Sequence, residues 1–151
     1  MADGGTPRVV VGVDGSKSGD VALRYALQEA ARRGADVDVV SAWEPPIRSL
    51  AESFGLEPYD RTRWDSAHER AAREHVDQVL AEEPGAAERR VEVHARTGRP
   101  AEILVEAARG ADLLVVGHRG RGGVTGVALG SVGLHCVMHA PCPVLVVPSE
   151  V

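Results

Sequence analysis

Residues 8–16 have the sequence RVVVGVDGS, in which an apolar run ends abruptly at a polar turn. A short run of β-branched apolar residues is typical of a strand that is buried on both faces of a sheet. Between Ser16 and Gly34, apolar residues recur at helical spacing, with serines in front of the segment and a glycine behind it. These are the signals of an amphipathic helix with a capped first turn and a glycine after its last turn. A buried strand that leads directly into such a helix predicts a parallel α/β fold.

The rest of the chain repeats this unit of strand and helix. Further strands are predicted at residues 36–43, 89–96, 112–116 and 142–148, and further helices at 61–83, 101–109 and 131–140. Five strands that alternate strictly with four helices predict one doubly wound parallel sheet with helices on both faces. We expect a disordered tail at residues 1–7, one domain at 8–149 and an irregular surface segment at 44–60.

The composition restricts the classes of partner. The 151 residues suffice for one ordinary domain, and 44% of them are hydrophobic. A formal net charge of −5 argues against a nucleic-acid partner, because phosphate backbones are bound by a concentrated basic face. The sequence contains neither an apolar run of about 18 residues for a membrane span nor the basic and apolar parts of a signal peptide. Cys136 and Cys142 cannot build a disulfide framework, so we expect a cytoplasmic protein without a membrane partner.

A glycine-rich segment follows the fourth predicted strand. Residues 117–132 have the sequence GHRGRGGVTGVALGSV. The glycines at 117, 120, 122 and 123 would let backbone N–H groups approach a phosphate without intervening side chains. The segment therefore has the backbone properties of an anion-binding loop.

The end of this segment and its arginines favour the same chemistry. Gly130 and Ser131 begin the next predicted helix, whose first N–H groups and positive dipole end attract anions. Ser131 can cap that helix or donate to a phosphate oxygen. Arg119 and Arg121 carry forked donors that suit phosphate, although solvated side chains explain them equally well.

The expected topology places a second strand end opposite this loop. In a doubly wound sheet of order 3-2-1-4-5, the ligand crevice lies between the carboxyl ends of strands 1 and 4. Strand 1 ends at Asp14, which can accept a hydrogen bond from a ribose hydroxyl or base amino group, or bind Mg²⁺. The alternative is that Asp14 and Gly15 form an ordinary turn.

Familiar motifs do not account for the loop. A dinucleotide fingerprint would require glycine where Thr125 stands, and a nucleophile elbow around Ser131 would require glycine where Leu129 stands. The single lysine, Lys17, does not fall in a P-loop spacing. A metal site built from His135, Cys136, His139 and Cys142 is disfavoured: the two histidines are four apart on one helix and alone make a poor site, Cys136 points elsewhere around that helix, and Cys142 begins a buried strand.

The spacing of the glycines nevertheless matches a known pattern. Gly117 and Gly120 are followed after nine residues by Gly130 and Ser131. Further matching stretches are VVVGVDGS at 9–16, TGRPAEILVEAA at 97–108 and HAPCPVLVVP at 139–148. With these stretches, the G-x2-G-x9-G-[ST] pattern closely resembles the universal stress protein family, specifically its ATP-binding subclass. The resemblance runs from about Arg8 to Pro148.

The resemblance implies a nucleotide alpha-hydrolase-like α/β domain with strand order 3-2-1-4-5. It also implies that the domain binds ATP, with Mg²⁺, and forms a homodimer in which strand 143–147 pairs antiparallel with its copy. An exposed apolar edge strand is a liability in a monomer, which favours such pairing.

Carried over residue by residue, the resemblance assigns a nucleotide site. Gly12 and Asp14 match the end of strand 1 that contacts the nucleotide, and Ala42 matches an apolar position beside the adenine. The triphosphate loop corresponds to Gly117, His118, Arg119, Gly120, Arg121, Gly122 and Gly123, and the second phosphate element to Gly130, Ser131 and Val132. Gly133 is a departure, because the family often has a hydroxyl residue there.

Three functions compete at this stage. The first is a nucleotide-dependent regulatory dimer that acts in a stress response. The second is a slow ATP hydrolase, which is disfavoured because no residue stands out as a catalytic base, and we therefore predict no catalytic residue. The third is an interaction protein that binds no nucleotide, or that binds cyclic AMP, on the same fold.

Overall fold

The chain folds into one parallel sheet with helices packed on both faces. The computed structural model describes residues 4–44, 54, 61–85, 89–119 and 129–149, apart from the side chains of 61–64. The strands are β1 (Arg8–Val13), β2 (Asp36–Trp43), β3 (Val91–Thr97), β4 (Leu113–Gly117) and β5 (Val144–Val147). The helices are α1 (Lys17–Arg33), α2 (Arg61–Glu82), α3 (Pro100–Ala107) and α4 (Ser131–His139). Within these described ranges, no helix is both long enough and apolar enough to cross a membrane.

The strand order is β3-β2-β1-β4-β5 and all neighbouring strands are parallel, which confirms the predicted doubly wound sheet. The predicted bounds differ from the observed ones only at the ends of elements. β3 begins at Val91, the first of its residues to pair with β2. β5 begins just after Pro143, whose nitrogen has no hydrogen to donate to a ladder. Most of the predicted irregular segment, residues 45–53 and 55–60, lies outside the described residues.

Alternation along β1 divides the core into two clusters. Val9 and Val11 face the cluster that α1 and α2 cover, whereas Val10 faces the cluster that α3 and α4 cover. All three side chains are completely buried, as expected for the central strand of a parallel sheet. The helices α1 and α2, which lead to β2 and β3, therefore cover one face of the sheet. The helices α3 and α4, which lead to β4 and β5, cover the other.

The two ends of α1 are fixed by the residues that the sequence predicted. The Ser16 hydroxyl accepts a hydrogen bond from the Gly19 amide at 3.1 Å. Gly34 ends the helix with φ of 64°, a left-handed conformation that glycine adopts at low cost. The Ala35 amide then donates to the Ala30 carbonyl at 2.9 Å, which closes the last turn. These caps set where the chain enters and leaves the first helix.

Cys136 packs α4 against the sheet. Its side chain is fully buried beside Leu114 and Val116, and burial raises the pKa of its thiol to about 11. Cys142 is only partly buried, although burial raises the pKa of its thiol as well.

We predict that iodoacetamide at pH 8 modifies Cys136 far more slowly in the folded protein than in the unfolded chain. The reacting species is the thiolate, and a thiol pKa raised by burial to about 11 reduces the thiolate population at this pH about 100-fold. The Cys142→Ser variant isolates this thiol, and a time course of intact masses with and without urea measures both rates. Similar rates in the two states would show that α4 does not shield Cys136.

Candidate functional site

A cavity of about 810 Å³ opens at the carboxyl ends of β1, β2 and β4. Residues at the starts of α1, α3 and α4, together with His68 from α2, also line it. The position matches the point between β1 and β4 where the winding reverses, which is where open α/β sheets bind their ligands. Its volume lies within the range of about 300–1,000 Å³ that is usual for small-molecule sites.

Most of the predicted site residues that can be described lie around this cavity. They are Gly12, Asp14, Ala42, Gly117, Arg119, Gly130, Ser131 and Val132. His118 is not among the lining residues: its amide donates to the Val147 carbonyl at 2.8 Å, and its Nδ1 lies 3.4 Å from the Ser149 hydroxyl. Four further predicted residues lie outside the described part of the chain, namely Gly120, Arg121, Gly122 and Gly123.

The two described ends of the glycine-rich segment are fastened to each other. The Gly130 amide donates to the His118 carbonyl at 2.8 Å. Gly130, rather than Ser131, is the N-cap of α4, and no side chain caps the helix. Ser131 is the first helical residue, and it is exposed at the rim of the cavity. Because the first turn of a helix leaves N–H groups without intrahelical partners, this end of the cavity suits an anion.

Asp14 has a structural role in addition to its place in the cavity wall. Its Oδ1 accepts hydrogen bonds from the Ser16 amide at 3.0 Å and from the Ser16 hydroxyl at 2.5 Å. The Ser16 hydroxyl in turn caps α1. The carboxylate therefore holds the turn between β1 and α1, as the turn alternative from the sequence predicted.

Gly12 and Gly117 are required by close packing as well as by access to the cavity. A Cβ atom on Gly117 would lie 2.5 Å from the Ser18 hydroxyl and 3.0 Å from the Ser18 carbonyl oxygen. A Cβ atom on Gly12 would lie 2.7 Å from Cδ1 of Leu104. The missing side chains thus let α1 and α3 approach the strand ends.

An aromatic pair in the cavity wall was missed by the sequence analysis. The rings of Trp43 and His68 lie 4.0 Å apart between centroids, at an angle of 33°. Trp43 could have been found, because it directly follows Ala42 at the carboxyl end of β2. His68 gave no signal, because the sequence does not say which turn of α2 passes the end of β2.

Charge is divided along the described walls. The carboxylates of Asp14 and Glu44 line the cavity near the ends of β1 and β2. Arg119 lines it just after β4, close to the start of α4. The cavity therefore combines cationic and N–H groups, from Arg119 and the start of α4, with carboxylates and with apolar side chains such as Val40 and Leu104.

Comparison with known proteins identifies relatives of this chain. The model of the universal stress protein family matches residues 5–148. A universal stress protein of Mycolicibacterium smegmatis is 37% identical over 144 residues, which cover 92% of this chain and 45% of the relative. A universal stress protein of Mycobacterium tuberculosis is 36% identical over 146 residues, covering 91% of this chain and 44% of the relative. The chain thus spans less than half the length of these curated relatives.

Solved structures share the fold. The universal stress protein UspA of Lactobacillus plantarum has a TM-score of 0.72 with 24% identity, over 96% of this chain and 99% of its own. A universal stress protein crystallised in complex with cAMP has a TM-score of 0.65 with 31% identity, over 96% of this chain and 98% of its own. The universal stress protein of Archaeoglobus fulgidus in complex with dAMP has a TM-score of 0.56 with 23% identity, over 94% and 97%.

We predict that Gly117→Ala destabilises the protein more than Gly12→Ala. The first substitution brings Cβ against the backbone of Ser18, which cannot move without shifting α1, so it should cost about 1–3 kcal/mol. The second meets only the end of the flexible Leu104 side chain, which can rotate away. Urea denaturation of both variants measures the difference. Equal stability of the two variants would contradict the packing role of Gly117.

Proposed function

The chain belongs to the universal stress protein family, and we propose that it binds ATP in the cavity between β1 and β4 as a nucleotide-dependent regulatory protein. The observation that carries this proposal is the position of the cavity. It lies at the reversal point of the sheet and against the first turn of α4, where N–H groups are available to phosphates.

The walls suggest an orientation for the nucleotide. Its phosphates would lie at the end formed by Gly117, Arg119 and Ser131, where glycine, guanidinium and helix N–H groups meet. The adenine would lie against β2, where Ala42 and Trp43 supply apolar and aromatic surface. Binding energy would thus come from electrostatics at one end and from burial of the base at the other.

Mg²⁺ would accompany the triphosphate in this proposal. Mg²⁺ is usually bound through one or two carboxylates together with substrate phosphates. Asp14 supplies a carboxylate in the cavity wall, so the residues present fit such an ion. The ion would screen the charge of the phosphates, while the turn that Asp14 holds with Ser16 keeps the carboxylate in position.

Related structures support an adenine nucleotide as the ligand, and the glycine spacing favours one with several phosphates. Related structures are described as complexes with cAMP and with dAMP, so adenine nucleotides are ligands of those family members. The glycine spacing of this chain, from Gly117 to Ser131, provides more N–H groups than one phosphate needs. We therefore favour ATP over cyclic AMP.

We predict that two substitutions separate the roles of the two ends of the cavity. Ala42→Leu should weaken binding of ATP, AMP and cAMP alike by about tenfold, because overpacking at the base costs on the order of 1.4 kcal/mol. Gly120→Asp places a carboxylate in the proposed triphosphate loop, so it should weaken ATP much more than AMP. Isothermal titration calorimetry measures all three ligands, with Ala31→Leu on the exposed surface of α1 as the matched control.

Mass spectrometry of small molecules released by denaturing the purified protein provides the direct test. Recovery of ATP supports the proposal. Absence of released nucleotide together with absence of calorimetric binding would overturn it. Tighter binding of cAMP than of ATP, with no effect of Gly120→Asp, would favour the cyclic nucleotide instead, and steady release of phosphate from ATP would favour the hydrolase.

The regulatory proposal includes a homodimer formed through β5. This strand lies at the edge of the sheet. The carbonyls of Pro143 and Val147 accept hydrogen bonds from the β4 side, so by alternation Val146 directs its backbone groups away from β4. Apolar side chains of the adjacent helix α4 are also exposed, namely Leu134, Val137 and Met138. An apolar edge of this kind favours pairing with a second copy.

We predict that Val146→Pro abolishes the dimer and leaves the fold intact. Proline removes an N–H group that faces the edge, and the hydrogen bonds between β4 and β5 do not use that group. Sedimentation velocity at micromolar concentration measures the assembly, with Val146→Ala as the control that retains the N–H group. A monomeric unsubstituted protein, with and without ATP, would refute the dimer.

A further inference from the structure

A cluster of polar side chains lies on β2 and β3, toward the amino ends of these strands. Asp38 of β2 is paired with Glu92 of β3, and His94 follows two residues later on the same face. All three side chains are partly buried, with exposed fractions of 19%, 40% and 34%. They form a group of three potential metal ligands, and their donor atoms lie within 4.8 Å of one another.

Two arginines hold the outer oxygens of this cluster. Arg8 donates to Oδ2 of Asp38 at 2.7 Å, and the same guanidinium donates to the carbonyls of Ala107 and Arg109 at the end of α3. Arg90 forms an ion pair with Oε1 of Glu92. Each carboxylate is therefore held by an arginine at one of its oxygens, and its other oxygen is the one nearer to His94.

The remaining three atoms converge. Nε2 of His94 lies 3.7 Å from Oδ1 of Asp38 and 3.6 Å from Oε2 of Glu92. Both distances are longer than a normal hydrogen bond. Two ligands that are each about 2.0–2.2 Å from a tetrahedral zinc ion lie about 3.4 Å apart. The two separations from His94 thus exceed that distance by only a few tenths of an ångström, and the two carboxylate oxygens lie within 4.8 Å of each other.

We propose that Asp38, Glu92 and His94 form a site for a divalent transition metal of the Zn²⁺ class. The imidazole nitrogen favours Zn²⁺, Cu²⁺ or Ni²⁺ over Mg²⁺ and Ca²⁺, which prefer oxygen ligands alone. Because the two arginines balance the two carboxylates, the metal is held by coordination rather than by a surplus of negative charge. The partial exposure of the cluster leaves room for water as a fourth ligand.

This site is separate from the nucleotide cavity. Asp38 precedes Ala42 by four residues on β2, which corresponds to about 13 Å along the strand. None of its three ligands lines that cavity. The proposal is therefore independent of the proposed ATP binding, and it can be tested without nucleotide.

Calorimetric titration of the full chain with Zn²⁺ alone tests the proposal. We expect one site per chain, and we expect His94→Gln to weaken it by about tenfold or more. The matched control is His139→Gln, because His135 and His139 lie elsewhere, on α4, with ring centroids 4.5 Å apart. Circular dichroism of both variants establishes that they remain folded.

A second readout identifies the coordinating atoms. Replacing Zn²⁺ by Co²⁺ should give visible absorption bands of a low-coordinate site, and both His94→Gln and Glu92→Gln should remove them. The proposal is overturned if His94→Gln binds Zn²⁺ as the unsubstituted protein does. It is equally overturned if His139→Gln alone abolishes binding, since the metal would then lie on α4.

Discussion

A parallel sheet must be covered on both faces, because its crossover connections place helices there and its strands are apolar on both sides. In this chain the requirement falls on β1, the central strand, whose Val9, Val10 and Val11 are buried completely. The chain meets it by winding to β2 and β3 over one face and to β4 and β5 over the other. The reversal leaves a crevice at the carboxyl ends of β1 and β4, beside the first turns of α1 and α4. The cavity is a consequence of that arrangement.

The same constraint explains why glycine is needed at the strand ends. The helices that cover β1 and β4 approach so closely that Gly117 lies against the backbone of Ser18 and Gly12 against Leu104. Glycines at these positions therefore satisfy packing before any ligand is considered. Access to the cavity is a second consequence of the same missing side chains. This dual origin means that a glycine pattern in a strand end is evidence for close packing as well as for phosphate binding.

The two ends of the sheet have different chemistry. At the carboxyl ends of the strands, the start of α4 and Arg119 provide groups that suit an anion. Toward the amino ends, the partly exposed faces of β2 and β3 place Asp38, Glu92 and His94 together, with arginines on their outer oxygens. The alternation of β3, whose Val93 is buried while His94 is not, makes room for polar groups beside the core. One sheet therefore presents groups that suit an anion toward one end and groups that suit a cation toward the other.

The sequence by itself determined the alternation of strands and helices, the caps of α1 at Ser16 and Gly34, and the place of Gly117, Arg119, Gly130 and Ser131 in the cavity wall. These features depend on local periodicity, turn chemistry and spacing, which are written in consecutive residues. The observed ends of helices and strands differ from the predicted ones by one or two residues, because pairing with a neighbour decides where a strand begins.

Only the tertiary structure decided which distant residues meet. His68 lies against Trp43 because α2 passes the end of β2, and Asp38 meets His94 because two strands are paired in one particular register. The tertiary structure also decided that His118 lies near Ser149 and that Gly130 is the N-cap of α4. Such contacts depend on the packing of whole elements, and a shift of register by one residue would move every side chain of a strand to the opposite face.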